Sequence, residues 1–148
     1  TWSYPLTTLD STTYTVIAWS WDGANNISSL AQSSFSVGTA DTTPPTVTIT
    51  DPADGSNQSG PDVTISGTAA DTQSGVSRVK VMIQRQSDST YWDGTTWSGN
   101  WSWVDATGTE TWSYPMTLET DTYVAIAWSW DGANNISNLH QSTFGVTS

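Results

Sequence analysis

The side chains best suited to chemistry in this sequence are oxygen donors carried by loops. Asp131 and Asn134 lie in the segment Trp-Asp-Gly-Ala-Asn-Asn, Asp71 opens Asp-Thr-Gln-Ser-Gly, and Asp41 opens Asp-Thr-Thr-Pro-Pro. Ca²⁺ accepts about six to eight oxygen ligands in a flexible geometry, so loops of this kind suit it. The alternative is that these residues only stabilise turns, as Asp and Asn often do. No contiguous calcium-binding loop of roughly 12 residues is present.

Residues that could catalyse a reaction are few. Cysteine is absent, which excludes thiol nucleophiles, disulfides and thiolate metal sites. His140 is the only histidine; no Ser–His–acid triad can be argued around it, and we expect it at the surface. The two glutamates, Glu110 and Glu119, flank a predicted strand in a surface hairpin and do not suggest an acid pair in a cleft. The sequence therefore predicts that the protein is not an enzyme.

Composition narrows the possible partners. The chain has 148 residues and a net charge of −11, and its only cations are Arg78, Lys80 and Arg85. Nucleic acids and anionic lipids are bound by clustered Lys and Arg, so neither is an expected partner. No apolar run approaches the length that spans a membrane. The abundance of Ser and Thr is typical of secreted β proteins, and we expect an extracellular or cell-surface location.

A long internal repeat determines the domain organisation. Residues 18–28 and 127–137 are identical, and residues 1–5 are identical to 111–115. Residues 1–38 therefore correspond to 111–148, and the segment between them has no second copy. We predict that 1–38 are the C-terminal part of a preceding repeat with about three strands, 39–45 a Pro-rich linker, and 46–148 a complete repeat. Three strands cannot bury a core alone, so residues 1–38 need strands from elsewhere.

Strand patterns dominate the rest of the chain. Residues 122–130 and 76–84 alternate and are rich in β-branched or aromatic types, and Asp93-Gly94 between aromatic residues indicates a hairpin. Further strands are predicted at 1–6, 12–21, 32–37, 46–50, 63–69, 110–116 and 141–147, with no helical period anywhere. Seven or eight short strands in a complete repeat predict an all-β, immunoglobulin-like Greek-key sandwich.

This architecture would assemble the oxygen donors. In a Greek-key sandwich, the start of the first strand lies at the end where the loops after the second and sixth strands also gather. We therefore expect Asp41, Asp71, Asp131 and Asn134 to meet near the domain junction and to bind Ca²⁺. Asp22 and Asn25 would form the equivalent site only in a completed first repeat.

The repeated segment also carries a tryptophan stripe. If the small residues of 122–130 face the core, alternation places Trp128 and Trp130 outside, and likewise Trp19 and Trp21 in the first copy. Exposed, they would form an interface with another protomer or a platform for a sugar. A shift of one residue would bury them instead, and the sequence does not decide between the two registers.

Four asparagines fit the acceptor pattern for N-glycosylation: Asn26, Asn57, Asn100 and Asn135. Chance matches are expected in a chain this rich in Ser and Asn. These positions matter only in a host that glycosylates its surface proteins.

Three segments together resemble bacterial immunoglobulin-like repeats. They are Asp-Thr-Thr-Pro-Pro-Thr-Val-Thr-Ile at 41–49, Ile-Ser-Gly-Thr-Ala-Ala-Asp at 65–71, and Ser-Gly-Val-Ser-Arg-Val at 74–79. The resemblance implies a domain of a large secreted or surface-anchored protein, such as an adhesin, with junctions that are often stiffened by calcium. Trp-Ser-Trp before the Asp-Gly-Ala-Asn loop departs from the family, where small polar residues are common.

These observations predict a non-catalytic structural repeat of an extracellular stalk, adhesin or filament. Its partners would be neighbouring repeats or identical subunits. The alternative is a carbohydrate-binding module that uses the tryptophan stripe. Family membership alone does not decide between the two, because one fold carries many functions.

Overall fold

The computed structural model describes all residues, Thr1–Ser148, and contains strands but no helix. The chain divides into two compact units, Thr1–Ala40 and Asp41–Ser148. No helix occurs that could cross a membrane. The strands are β1 Thr13–Ala18, β2 Ala31–Ser36, β3 Thr46–Asp51, β4 Asn57–Ser59, β5 Asp62–Ala70, β6 Val76–Arg85, β7 Thr90–Trp92, β8 Trp97–Ser98, β9 Val104–Asp105, β10 Thr107–Gly108, β11 Thr111–Thr117, β12 Asp121–Asp131 and β13 His140–Thr147.

Residues 41–148 form a sandwich of two sheets. One sheet has the order β10-β11-β5-β3, and the other has the order β4-β13-β12-β6-β7-β8, with β9 paired to β6. All pairings are antiparallel except that of β4 with β13. A sheet built from the first, second and fifth main strands facing one built from the third, sixth and seventh is the immunoglobulin arrangement. The predicted all-β immunoglobulin-like fold is therefore confirmed.

The core lies between the sheets and is built by alternation. Along β12, Tyr123, Ala125, Ala127 and Ser129 are buried, whereas the residues between them are half-buried. Trp112 is 1% exposed and lies beside Gly67, where a Cβ atom would come within 2.7 Å of the indole and 1.8 Å of the Thr48 carbonyl oxygen. Gly67 thus makes room for the largest side chain of the core.

A tyrosine and a histidine each add a hydrogen bond to this sandwich. The Tyr123 hydroxyl donates to the carbonyl oxygen of Glu119 at 3.0 Å. This hydrogen bond is the tyrosine corner, which many immunoglobulin domains share. His140 is half-buried, and its Nδ1 accepts the backbone N–H of Ile49 at 3.1 Å. The expectation of a surface histidine is wrong, because this residue links β3 to β13 across the two sheets.

The outer face of the larger sheet is partly covered. Met82 points away from the core side of β6, where Val79, Val81 and Ile83 lie, yet it is only 4% exposed. Trp103 packs on Trp128 of this face, with ring centroids 5.2 Å apart. The chain between β8 and β9 therefore adds aromatic side chains outside the sandwich, which the strand patterns did not predict.

Residues 1–40 contain one antiparallel pair, β1 with β2. The strand predicted at 1–6 is absent. In the complete unit the corresponding strand, β11, pairs with β5 and β10, and residues 1–40 contain no copy of either. The prediction is wrong here because a strand needs a neighbour that supplies its hydrogen bonds.

Candidate metal centre

Three aspartates meet in the unit 41–148. Asp41 precedes β3, Asp71 directly follows β5, and Asp131 is the last residue of β12. One carboxylate oxygen from each lies within 4.8 Å of the other two. The folded chain thus assembles donors from three distant loops.

Asp131 is fixed by its own loop. The residue is 1% exposed, and its Oδ1 accepts the backbone N–H groups of Ala133 and Asn135 at 2.9 and 2.8 Å. Oδ2 accepts Nδ2 of Asn135 at 2.7 Å. Asn134 takes a φ of 69°, a left-handed conformation that Asn tolerates. The loop sequence therefore builds this end of the site locally.

Asp71 is held in the same way, but one of its oxygens has no partner. Oδ2 accepts the backbone N–H groups of Gln73, Ser74 and Gly75 at 2.8–2.9 Å. Burial would raise the pKa of this carboxyl group, but the backbone donors outweigh it and the pKa is lowered. Oδ1 is buried and has no hydrogen-bond partner. An ionised oxygen in that position is suited to a cation.

Asp41 ties the start of the Pro-rich segment to the other two loops. Its Oδ1 accepts the N–H of Thr43 at 2.9 Å, and its Oδ2 accepts the hydroxyl of Ser74 at 2.6 Å. Its carbonyl oxygen accepts Nδ2 of Asn135 at 3.2 Å. Residue 41, which lies in the predicted linker 39–45, is therefore held by hydrogen bonds to the folded unit.

The charge of the three carboxylates is not balanced by a side chain. Lys80 pairs with Asp105 at 3.3 Å, Arg85 pairs with Asp88 at 2.5 Å, and Arg78 lies 4.0 Å above the ring of Trp130. Like charges this close repel one another, and a divalent cation would relieve that repulsion. The donors are all hard oxygens, which suit Ca²⁺ or Mg²⁺ and not a thiolate-seeking metal.

One predicted site residue lies differently from the expectation. Asn134 is exposed, and its backbone N–H donates to the Asp131 carbonyl oxygen at 3.4 Å. The amide that touches the aspartates belongs to Asn135. Sequence reasoning missed Asn135 and Ser74; the doubled Asn in both copies of the repeat was the available signal.

The tryptophan stripe faces outward, although it is not fully exposed. Trp128 and Trp130 are half-buried on the face opposite the core, with ring centroids 4.0 Å apart. Trp103 and Arg78 cover them in part. In the first copy, Trp19 and Trp21 are 50% and 60% exposed. The register is therefore the one with small residues in the core.

The four candidate glycosylation sites differ in accessibility. Asn26, Asn57 and Asn100 are exposed, whereas Asn135 is half-buried. A glycan on Asn135 would remove one of the two protons that its Nδ2 donates to Asp131 and Asp41.

Comparison with known proteins identifies the family. Residues 45–141, more than half of the chain, match the family described as bacterial Ig domain. No curated protein matches. An engineered protein of known crystal structure aligns over 70% of this chain and 20% of its own length, with 20% identity and a TM-score of 0.48. The fibronectin(III)-like modules of Clostridium thermocellum CbhA align over 96% of this chain and 66% of their own, with 16% identity and a TM-score of 0.49. The chain thus spans less than two thirds of the length of each of these two structures. Because the family match extends over residues 45–141, the chain belongs to the bacterial Ig domain family.

Proposed function

We propose that this chain is a non-catalytic structural segment of a long extracellular protein, built from consecutive copies of the 41–148 unit. The single observation that carries this is the repeat itself. Residues 1–38 are similar in sequence to 111–148 and form the same hairpin, yet the unit that contains them has no second sheet to cover the core-facing side chains. Phe35, for example, is 38% exposed, whereas Phe144 is 1% exposed.

This proposal treats residues 1–38 as the end of a preceding repeat. A chain with a second copy of residues 39–110 placed before Thr1 would hold two complete sandwiches. We expect residues 1–6 to gain amide-exchange protection in it, because they would acquire the partners that β11 has in β5 and β10. A scrambled 39–110 segment is the matched control. Unprotected residues 1–6 in the two-repeat chain would refute the proposal.

We further propose that Ca²⁺ binds Asp41, Asp71 and Asp131 and fixes the start of each repeat. Asp41 already binds the loops that carry Ser74 and Asn135, so an ion on its carboxylate would stiffen the junction. Stiff junctions would give a stalk its length, since bending between repeats shortens it. Free hinge motion in X-ray scattering of the two-repeat chain with Ca²⁺ would contradict this mechanical role.

Chelation tests the ion directly on the whole chain. A ligand that binds only the folded state stabilises it, so we expect Ca²⁺ at about 100 times its Kd to raise the Tm by roughly 5 °C or more, and EDTA to reverse the rise. Asp71→Asn should abolish the response. Asp93→Asn is the matched control, because Asp93 also accepts backbone N–H groups in a turn, those of Thr95 and Thr96. An unchanged Tm after addition of EDTA would refute the proposal that Ca²⁺ binds at this site.

The alternative, a sugar platform on Trp128 and Trp130, has weaker support. Trp103 and Arg78 cover part of both indoles, which reduces the flat surface available for stacking. The structural role remains the better proposal.

A further inference from the structure

One aromatic side chain of the complete unit stays open to solvent. Trp101 is 72% exposed, and its ring centroid lies 5.7 Å from that of Tyr91, with the planes tilted by 38°. Single exposed apolar residues are common. A pair in which one ring supports the other is a more specific feature.

Tyr91 is held firmly. It lies in the central strand of a three-strand meander, opposite Gln84 of β6 on one side and Ser98 of β8 on the other. Its hydroxyl accepts Nε2 of Gln84 at 3.1 Å. The hydroxyl proton is thus free to be donated to a ligand. Trp101 therefore packs on the Tyr91 ring, whose position is fixed by the sheet.

The other tryptophans of this unit pack against other side chains. Trp92 and Trp97 pack against the core, Trp112 is buried, and Trp103 packs on Trp128, which itself packs on Trp130. Trp101 fills no such role. Its exposed face is available to a ligand without disturbing the sandwich.

Charge narrows the class of ligand. The chain has a net charge of −11. Its three cations do not offset this near a ligand, because Lys80 and Arg85 pair with carboxylates and Arg78 lies over a tryptophan ring. An anionic ligand would therefore be repelled. A quaternary ammonium is recognised by rings that enclose it, whereas the rings of Tyr91 and Trp101 pack on each other, with centroids 5.7 Å apart. An uncharged ligand needs an apolar face for the indole and hydroxyl groups for the polar neighbours.

Sugar rings have both properties. The polar neighbours are the Tyr91 hydroxyl and the Gln84 amide that donates to it. Aromatic surface with a few placed polar groups is the usual composition of a ligand site. We propose that Tyr91 and Trp101 form a binding surface for a neutral polysaccharide, separate from the tryptophan stripe.

Affinity electrophoresis of the whole chain tests this proposal. The gels contain hydroxyethyl cellulose, mixed-linkage β-glucan or galactomannan, with anionic alginate as a charge control. We expect at least one neutral polymer to retard the chain and alginate not to. Trp101→Ala should weaken binding about tenfold, the equivalent of roughly 1.4 kcal/mol, with no change in Tm. Tyr91→Phe, which keeps the ring and loses the hydroxyl, should weaken it less.

The first unit supplies a matched control. Trp2 is also 72% exposed, so Trp2→Ala removes an equally accessible indole and should leave retardation unchanged. Equal loss in both variants would mean nonspecific adhesion and would overturn the proposal. So would the absence of retardation by every neutral polymer, or a dimer in sedimentation that Trp101→Ala dissociates, since a second copy would then be the occupant.

Discussion

Residues 1–38 and 111–148 are similar in sequence and share one antiparallel hairpin and its loop. In both copies the loop aspartate accepts two backbone N–H groups and one Asn side chain at 2.7–2.9 Å. In both, the first residue after that aspartate's Gly-Ala pair has a positive φ, 66° at Asn25 and 69° at Asn134. The loop is therefore encoded by its own residues and does not need the sandwich.

The two copies differ in everything that depends on distant strands. Trp2 is 72% exposed and its copy Trp112 is 1% exposed. Residues 111–117 form a strand, whereas 1–6 do not. The comparison separates what a sequence determines locally from what the residues 39–110 supply.

The largest expected difference is at the paired tryptophans. Trp112→Ala removes the largest core side chain and should lower the free energy of unfolding by about 3–5 kcal/mol. Trp2→Ala should change it by no more than about 0.5 kcal/mol, as for other surface positions. Urea unfolding measures both, and Trp112→Phe serves if the alanine variant does not fold. Equal effects at the two positions would show that Trp2 is buried after all.

The tyrosine corner should give a smaller difference. Tyr123→Phe removes the hydrogen bond to the Glu119 carbonyl from a buried residue and should cost about 1 kcal/mol. Tyr14 makes the corresponding bond to Asp10 at 3.2 Å, but at an exposed site, so Tyr14→Phe should have almost no effect. Thermal unfolding of both variants makes the comparison. A larger loss at Tyr14 would mean that the first copy is the better folded one.

The smallest effect concerns the loop of the first copy. The Asn26 side chain, followed by the N–H groups of Asn26 and Ala24, lowers the pKa of Asp22. A lowered carboxyl pKa means that this stabilisation is present above the ordinary pKa and is lost as the pH falls through the lowered value. NMR titration should find the Asp22 pKa low in the whole chain and raised by Asn26→Ala, but not by Ser28→Ala. An ordinary pKa would show that the loop does not form without the rest of the sandwich.

Much of the fold follows from the sequence because its strands alternate clearly. Val79, Val81 and Ile83 mark the inner side of β6, and the pairing of strands then brings Asp41, Asp71 and Asp131 together. That these aspartates bind Ca²⁺ stays a prediction. Asn135 and Ser74 were missed because several polar residues in each loop could contact the aspartates. The burial of Met82 does not follow from the sequence, because alternation places this residue on the outer face of β6, yet it is only 4% exposed.

The hydrogen bonds of Asp41 bear on where this domain may be cut. The family match begins at residue 45, and a fragment trimmed there would leave the Ser74 hydroxyl and one amide proton of Asn135 without their acceptors on Asp41. A fragment of the domain made for biophysical work should therefore begin before Asp41, even though residues 41–44 lie outside the family match.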